Sequence, residues 1–181
     1  MAGPSPMFCD RPADLAAALS ATMPRPVAVV GIGNPLRGDD GFGPAVVGVL
    51  RPCAGLHLFD VQAVPESFLV PIVESGCRGV LFVDAADLAA EPGRLALVPA
   101  EAIREVDIST HAIALCLVAE AISRLAREVS GCETVCALVA AQPAALETAD
   151  CLSPVVQGAV RRASEGILLF ARSASAQASA L

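Results

Sequence analysis

The chain of 181 residues contains no tryptophan and no tyrosine, and aromatic residues make up only 3% of it. Its core must therefore be filled by aliphatic side chains and alanine, from a composition that is 55% apolar and 17% charged. Such side chains pack well in helices laid on a parallel sheet, and the length suits one compact domain. The composition therefore predicts a single α/β domain.

The sequence also lacks any cluster of basic residues. Its formal net charge is −7 and its isoelectric point is about 4.7, so a phosphate backbone would be repelled. We therefore expect no nucleic-acid partner.

Export and membrane signals are missing as well. No run of about 18 apolar residues occurs, and the N-terminus has neither a basic start nor an unbroken apolar stretch. The seven cysteines lack a paired metal-finger spacing, since three residues separate Cys132 from Cys136. We expect reduced, mostly buried thiols in a cytoplasmic protein without stable membrane insertion.

Strand and helix patterns alternate along the chain. Strands are predicted at residues 27–30, 56–61, 79–84 and 134–140, with an edge strand at 93–98, and helices at 42–50, 66–75, 109–131 and 153–171. Because βα crossovers are right-handed, this alternation predicts a mainly parallel sheet covered on both faces. Residues 27–172 form the predicted domain, residues 1–26 an extension that is poorly ordered or contains a short helix, and residues 173–181 a flexible tail.

The segment GIGNPLRGDDGFGP follows the first strand. A dinucleotide-binding turn would need a third glycine where Leu36 stands. A phosphate-binding loop would need Lys and then Ser or Thr where the chain has Asp39 and Asp40, and two carboxylates would repel a phosphate. The segment therefore argues against both kinds of nucleotide site.

Asp39 and Asp40 precede a helix, where one acid suffices to cap free N–H groups and to interact favourably with the helix dipole. The second acid, flanked by glycines that let the backbone bend, is placed to point above the sheet. Asp40 is the stronger candidate for function, whereas capping and function explain Asp39 equally well.

Two other candidates lie at junctions between elements. Asp84 ends an apolar strand, so its carboxylate should emerge at the carboxyl edge of the sheet, where ligands bind in open α/β folds; capping the next turn is the alternative. His111 opens a helix whose dipole favours the neutral, metal-binding imidazole, with a capping or packing role as the alternative. Asp40, Asp84 and His111 can therefore meet as two carboxylates and one imidazole, a set that suits nickel or zinc.

Five segments together resemble the hydrogenase maturation endopeptidases, and in particular the branch that acts on formate-linked, energy-converting hydrogenases. They are GIGNPLRGDDGFGP at 31–44, FDVQAVPES at 59–67, LFVDAAD at 81–87, STHAIAL at 109–115 and LVAAQP at 138–143. They occur in order and with family-like spacing across residues 27–170.

The resemblance implies a three-layer α/β/α sandwich with a mainly parallel twisted sheet of the phosphorylase/hydrolase-like type. It also implies an aspartic-type endopeptidase that removes the C-terminal extension of a nickel-iron hydrogenase large-subunit precursor. Nickel already inserted into this precursor is the recognition feature, although other divalent ions can occupy the same site. The bond broken lies near a Cys-containing C-terminal motif of the precursor.

Residue by residue, the resemblance places the nickel contacts on Asp40, Asp84 and His111, and the predicted catalytic set is these three together with Asp39. Val61-Gln62 is a departure, since relatives often carry two glycines there. Asn34 and Asp60 match further polar positions of the family.

Two other functions share parts of this pattern. Peptidyl-tRNA hydrolases also begin with a strand and a GxGNP-like turn, but they need a histidine soon after that turn and a basic surface, which this acidic chain lacks. A non-catalytic, nickel-dependent chaperone or binding module would use the same metal contacts as the endopeptidase.

Overall fold

The computed structural model of the protein describes residues 5–52, 55–105 and 112–178. Its strands are β1 (Met7–Phe8), β2 (Val27–Ile32), β3 (Leu56–Gln62), β4 (Gly79–Ala85), β5 (Leu95–Pro99) and β6 (Val135–Ala141). Its α-helices are α1 (Pro12–Thr22), α2 (Phe42–Val49), α3 (Leu69–Glu74), α4 (Ala112–Ser130) and α5 (Pro154–Ala178). Short 3-10 helices cover Gly38–Gly41, Pro65–Phe68 and Ala100–Glu105.

The strands form one mixed sheet in the order β1-β5-β6-β4-β2-β3. Strands β3, β2, β4 and β6 run parallel to one another, whereas β5 and β1 are antiparallel to their neighbours. Every residue of β2 and β4 is buried, as expected for central strands covered on both faces. The predicted mainly parallel sheet is confirmed.

Alternate residues of the central strands face two separate helical layers. Val27 and Val29 of β2 contribute to the core that contains α1, α2 and α5. Ala28 and Val30 contribute to the core on the opposite face, with α3 and α4. This two-sided burial confirms the predicted three-layer α/β/α sandwich.

The described residues before β2 contain a short helix, α1, which was one of the two alternatives predicted for residues 1–26, and this helix packs on the core of the domain. Strand β1 pairs antiparallel with β5, so β5 does not lie at the edge as predicted. Leu15 and Leu19 of α1 are fully buried among residues of α5. Pairing covers the backbone edge of β5, and α1 covers the apolar face of α5. At the other end, α5 continues to Ala178, into the predicted tail.

Helix α2 lies very close to the carboxyl ends of β2 and β4. A Cβ atom placed on Gly43 would lie 2.2 Å from the carbonyl oxygens of both Ile32 and Val83. The absence of a side chain at Gly43 therefore lets the helix approach the sheet. The loop between β2 and α2 is in this way held over the end of the sheet.

We predict that Leu19→Ala lowers the free energy of unfolding by about 2–5 kcal/mol, because it removes a fully buried side chain and leaves a cavity. Ser20→Ala, at an exposed position of the same helix, should change it by less than about 0.5 kcal/mol. Urea denaturation measures both variants. Equal stability of Leu19→Ala and wild type would mean that α1 does not belong to the folded core.

Candidate active site

The loop after β2 brings Asp40 to the carboxyl end of the sheet. Gly33 has a φ angle of 124° and Gly38 one of 56°, values that favour glycine, and these two positions turn the chain back toward the sheet. Asp40 is 2% exposed, and its Oδ2 atom accepts a hydrogen bond of 2.9 Å from the backbone N–H of Asn34. The two ends of the loop are thus tied together by the Asp40 carboxylate.

Asp84 lies near the carboxyl end of β4 and is 1% exposed. Its Oδ1 atom accepts a hydrogen bond of 2.8 Å from the backbone N–H of Ala85. Its Oδ2 atom is buried, and no donor from the described part of the chain reaches it. Burial raises the pKa of Asp84 well above its ordinary value, and the negative charge of Asp40 raises it further. The site thus contains a buried carboxyl oxygen that lacks a hydrogen-bond partner among these residues.

Gly33 lies between the backbone of Asp40 and the side chain of Asp84. A Cβ atom placed on Gly33 would lie 3.5 Å from Oδ1 of Asp84 and 1.8 Å from the carbonyl oxygen of Asp40. Any side chain at this position would therefore push the loop away from β4. The structure brings the predicted site residues Asp40 and Asp84 together at one end of the sheet.

Asp39 points elsewhere, although it is the immediate neighbour of Asp40. Its Oδ2 atom accepts hydrogen bonds from the N–H groups of Ala144 (2.8 Å) and Ala145 (3.1 Å) and from the Ser153 hydroxyl (2.9 Å). Its Oδ1 atom accepts one from the N–H of Ser153 (2.7 Å). The carboxylate of Asp39, for which the sequence left capping and catalysis open, is thus engaged with backbone and hydroxyl donors of the protein.

The third predicted nickel contact, His111, lies outside the described residues. Within residues 5–52, 55–105 and 112–178, no group of three or more His, Cys, Asp or Glu side chains is placed to hold a metal ion. The pair of Asp40 and Asp84 is therefore the part of the predicted triad that the structure places.

Gln142 is a residue near the site to which the sequence assigned no role. Its Oε1 atom accepts hydrogen bonds from the N–H groups of Leu88 (2.7 Å) and Ala90 (3.3 Å), in the loop that follows Asp84. Its carbonyl oxygen accepts another from Gly93 (2.8 Å). The signal in the sequence was a polar residue directly after the buried strand β6, which pairs with β4.

The departure at Val61-Gln62 has a visible conformational consequence. The pairing of β2 with β3 shifts here, since Gly31 is opposite Asp60 but Ile32 is opposite Gln62. Gln62 has a φ angle of 49°, in the left-handed region that favours glycine. The expected family glycine and the strained Gln62 therefore fall at the same bulge. Asp60 is exposed beside it.

Several solved structures are similar in fold to this chain. A nickel-iron hydrogenase maturation protease, HycI from Thermococcus kodakarensis KOD1, is similar with a TM-score of 0.68 and 27% identity, over 86% of this chain and 97% of that one. The hydrogenase maturating endopeptidase HybD from E. coli shares the fold, with a TM-score of 0.67 and 23% identity over 82% and 93% of the two chains.

Sequence comparison agrees. The family model HycI, hydrogenase maturation protease, matches residues 52–169, and the chain belongs to this family. The resemblance seen in the sequence motifs is thereby confirmed. A protein of Methanocaldococcus jannaschii that carries the name of a hydrogenase maturation protease is 35% identical over 72 residues, which are 38% of this chain and 47% of that protein. The match thus spans about half the length of this curated relative.

None of the helices in the described ranges is both long and apolar enough to cross a membrane.

We predict that Asp84→Asn becomes more stable relative to wild type as the pH rises above the ordinary Asp value of 3.8. Because the folded state holds the Asp84 proton more tightly than the unfolded state, wild-type stability falls between that pH and the raised pKa. The difference between variant and wild type should widen by up to about 1.4 kcal/mol per pH unit in this window. Urea denaturation at a series of pH values measures it.

Asp87→Asn is the matched control, because Asp87 is exposed three residues further on. Measured at the same pH values, it gives the effect of exchanging an exposed acid for an amide in the same loop. If the difference between Asp84→Asn and wild type does not change with pH, the pKa of Asp84 is not raised in the folded protein.

Proposed function

We propose that the chain is an aspartic-type endopeptidase that removes the C-terminal extension of a nickel-iron hydrogenase large-subunit precursor after nickel insertion. Membership of the hydrogenase maturation protease family supports the reaction class. The observation that carries the proposal is the Asp84 carboxyl group, buried beside Asp40 with one oxygen unpartnered by the described residues.

A cation brought by the precursor would resolve the electrostatic conflict at this site. Burial and the charge of Asp40 both disfavour an ionised Asp84, and a divalent ion between the two carboxylates would offset both effects. Nickel is a suitable ion for oxygen and imidazole ligands, and the family resemblance supplies His111 as the imidazole. A precursor without nickel would lose this binding energy, so that metal loading becomes the condition for cleavage.

The same pair of acids can serve the hydrolysis. A water molecule beside the nickel-bearing segment attacks the peptide carbonyl, and its proton passes to a carboxylate of the pair and then to the leaving amine.

We place the reaction in the cytoplasm. The cysteines in the part of the chain that the structure describes are all unpaired, and those at 9, 77, 116 and 136 are buried. Free, buried thiols are typical of a reducing compartment.

Incubation with nickel-loaded and nickel-free precursor tests the proposal. Intact-mass spectrometry should detect loss of the C-terminal segment from the loaded precursor alone. Retention of the loaded precursor without any mass loss would instead support the non-catalytic binding module. Cleavage of both precursors at equal rates would contradict recognition through nickel.

Asp84→Asn should reduce cleavage of the loaded precursor by at least about a hundredfold while the protein stays folded, because the variant lacks the carboxylate that contacts the metal. Asp87→Asn, which alters an exposed carboxylate of the same loop, should cleave at nearly the wild-type rate. The measurement is the initial rate of mass loss, with circular dichroism as the check on folding. Full activity of Asp84→Asn would remove Asp84 from the site.

A further inference from the structure

We infer that Asp39 is a positioning residue, whose buried carboxylate anchors the turn carrying Asp40 to the segment between β6 and α5. The inference rests on the proposed function, since it concerns how Asp40 is presented to the nickel-loaded precursor. It assigns different roles to two adjacent acids: Asp40 contacts the substrate, and Asp39 acts only through Asp40.

The first support is the set of donors around Asp39. Three backbone N–H groups and one hydroxyl point at its two oxygens, at distances between 2.7 and 3.1 Å, and the residue is 1% exposed. A carboxylate can accept all of these bonds because both of its oxygens are acceptors. An asparagine side chain would turn an NH₂ group toward at least one N–H donor. The surroundings therefore favour a carboxylate over an amide at this position.

The partner Ser153 is itself fixed. It directly precedes α5, and its Oγ atom lies 3.4 Å from the backbone N–H of Val156 in the first turn, as in a helix cap. Helix α5 packs in the core with Ile167 and Phe170 fully buried or nearly so. Asp39 is in this way connected to a long, buried helix.

Backbone contacts continue the same attachment. The N–H of Asp39 donates to the carbonyl of Ala145 (3.2 Å), and the N–H of Gly38 donates to that of Ala149 (3.1 Å). In return, the N–H of Ala149 donates to the carbonyl of Leu36 (3.3 Å). The loop after β2 and the segment after β6 thus hold each other from both directions.

This attachment determines where Asp40 lies because both acids belong to one short 3-10 turn, Gly38–Gly41. On the other side of the turn, the Asp40 backbone occupies the space where Gly33 has no side chain, next to Asp84. A rotation of the backbone between Asp39 and Asp40 would move the Asp40 carboxylate away from Asp84. The Asp39 anchor opposes that rotation.

A double-mutant cycle on the full chain tests the inference. The variants are Asp39→Asn, Asp40→Asn and the pair of them, with affinity for nickel-loaded and nickel-free precursor and cleavage kcat and KM as readouts. We expect Asp39→Asn to weaken binding of the loaded precursor by on the order of tenfold and to lower kcat by tenfold to a hundredfold, since small misplacements of a reacting group have effects of this size. Binding of the nickel-free precursor should not change.

In the Asp40→Asn background, Asp39→Asn should add no further loss of affinity for the loaded precursor, because Asp39 acts through Asp40. If the two losses of affinity instead multiply in the double variant, the inference is overturned. A general loss of stability would have this result, since it acts regardless of the residue at position 40. A wild-type protein that neither prefers nor cleaves the loaded precursor would overturn the proposed function, and the inference with it.

Ser153 provides a milder variant in case Asp39→Asn does not fold. Ser153→Ala removes one of the four hydrogen bonds to Asp39 and should weaken binding of the loaded precursor about threefold, an effect that is likewise absent in the Asp40→Asn background. Ser153→Thr retains the hydroxyl and should restore most of the affinity. If Ser153→Ala weakens binding of both precursors equally, Asp39 does not position Asp40.

Discussion

The close approach of the loop after β2 to the end of β4 is the constraint on which the site depends. It places Asp40 near Asp84, and it requires that Gly33 and Gly43 carry no side chains, since a Cβ atom at either would collide with backbone carbonyl oxygens. A buried acid at a strand end is unfavourable by itself, and a second acid nearby makes it more so. The surrounding fold holds the two together in spite of this.

The stability that tolerates such a pair comes from the two aliphatic cores. Central strands that are buried on both faces, with helices α1, α2 and α5 on one side and α3 and α4 on the other, remove much apolar area from water without any Trp or Tyr. The N-terminal segment adds to the first core through Leu15 and Leu19. Sites that oppose local stability are commonly supported by the rest of a protein in this manner.

Much of the fold and part of the site could be predicted from the sequence, because their signals are local. Continuous apolar runs identified the central strands, and an acid at the end of such a run identified Asp84. Strand β1 has only two residues, Met7–Phe8, and no pattern of that length predicts a strand. The directions of Asp39 and Asp40 could not be read either, since they depend on backbone angles and on Ser153, a partner 114 residues away in the chain.

The contrast between the two adjacent acids is the best guide to their chemistry. A carboxylate whose oxygens receive several donors from its own chain, as in Asp39, has little capacity left for a ligand. A buried carboxyl oxygen that the described residues leave unpartnered, as in Asp84, is energetically incomplete, and buried polar groups of this kind call for an explanation outside ordinary packing. In the proposed function, a cation brought by a binding partner would supply that explanation for Asp84. Because no such need exists at Asp39, its burial is better understood as the means by which the turn carrying Asp40 stays in place.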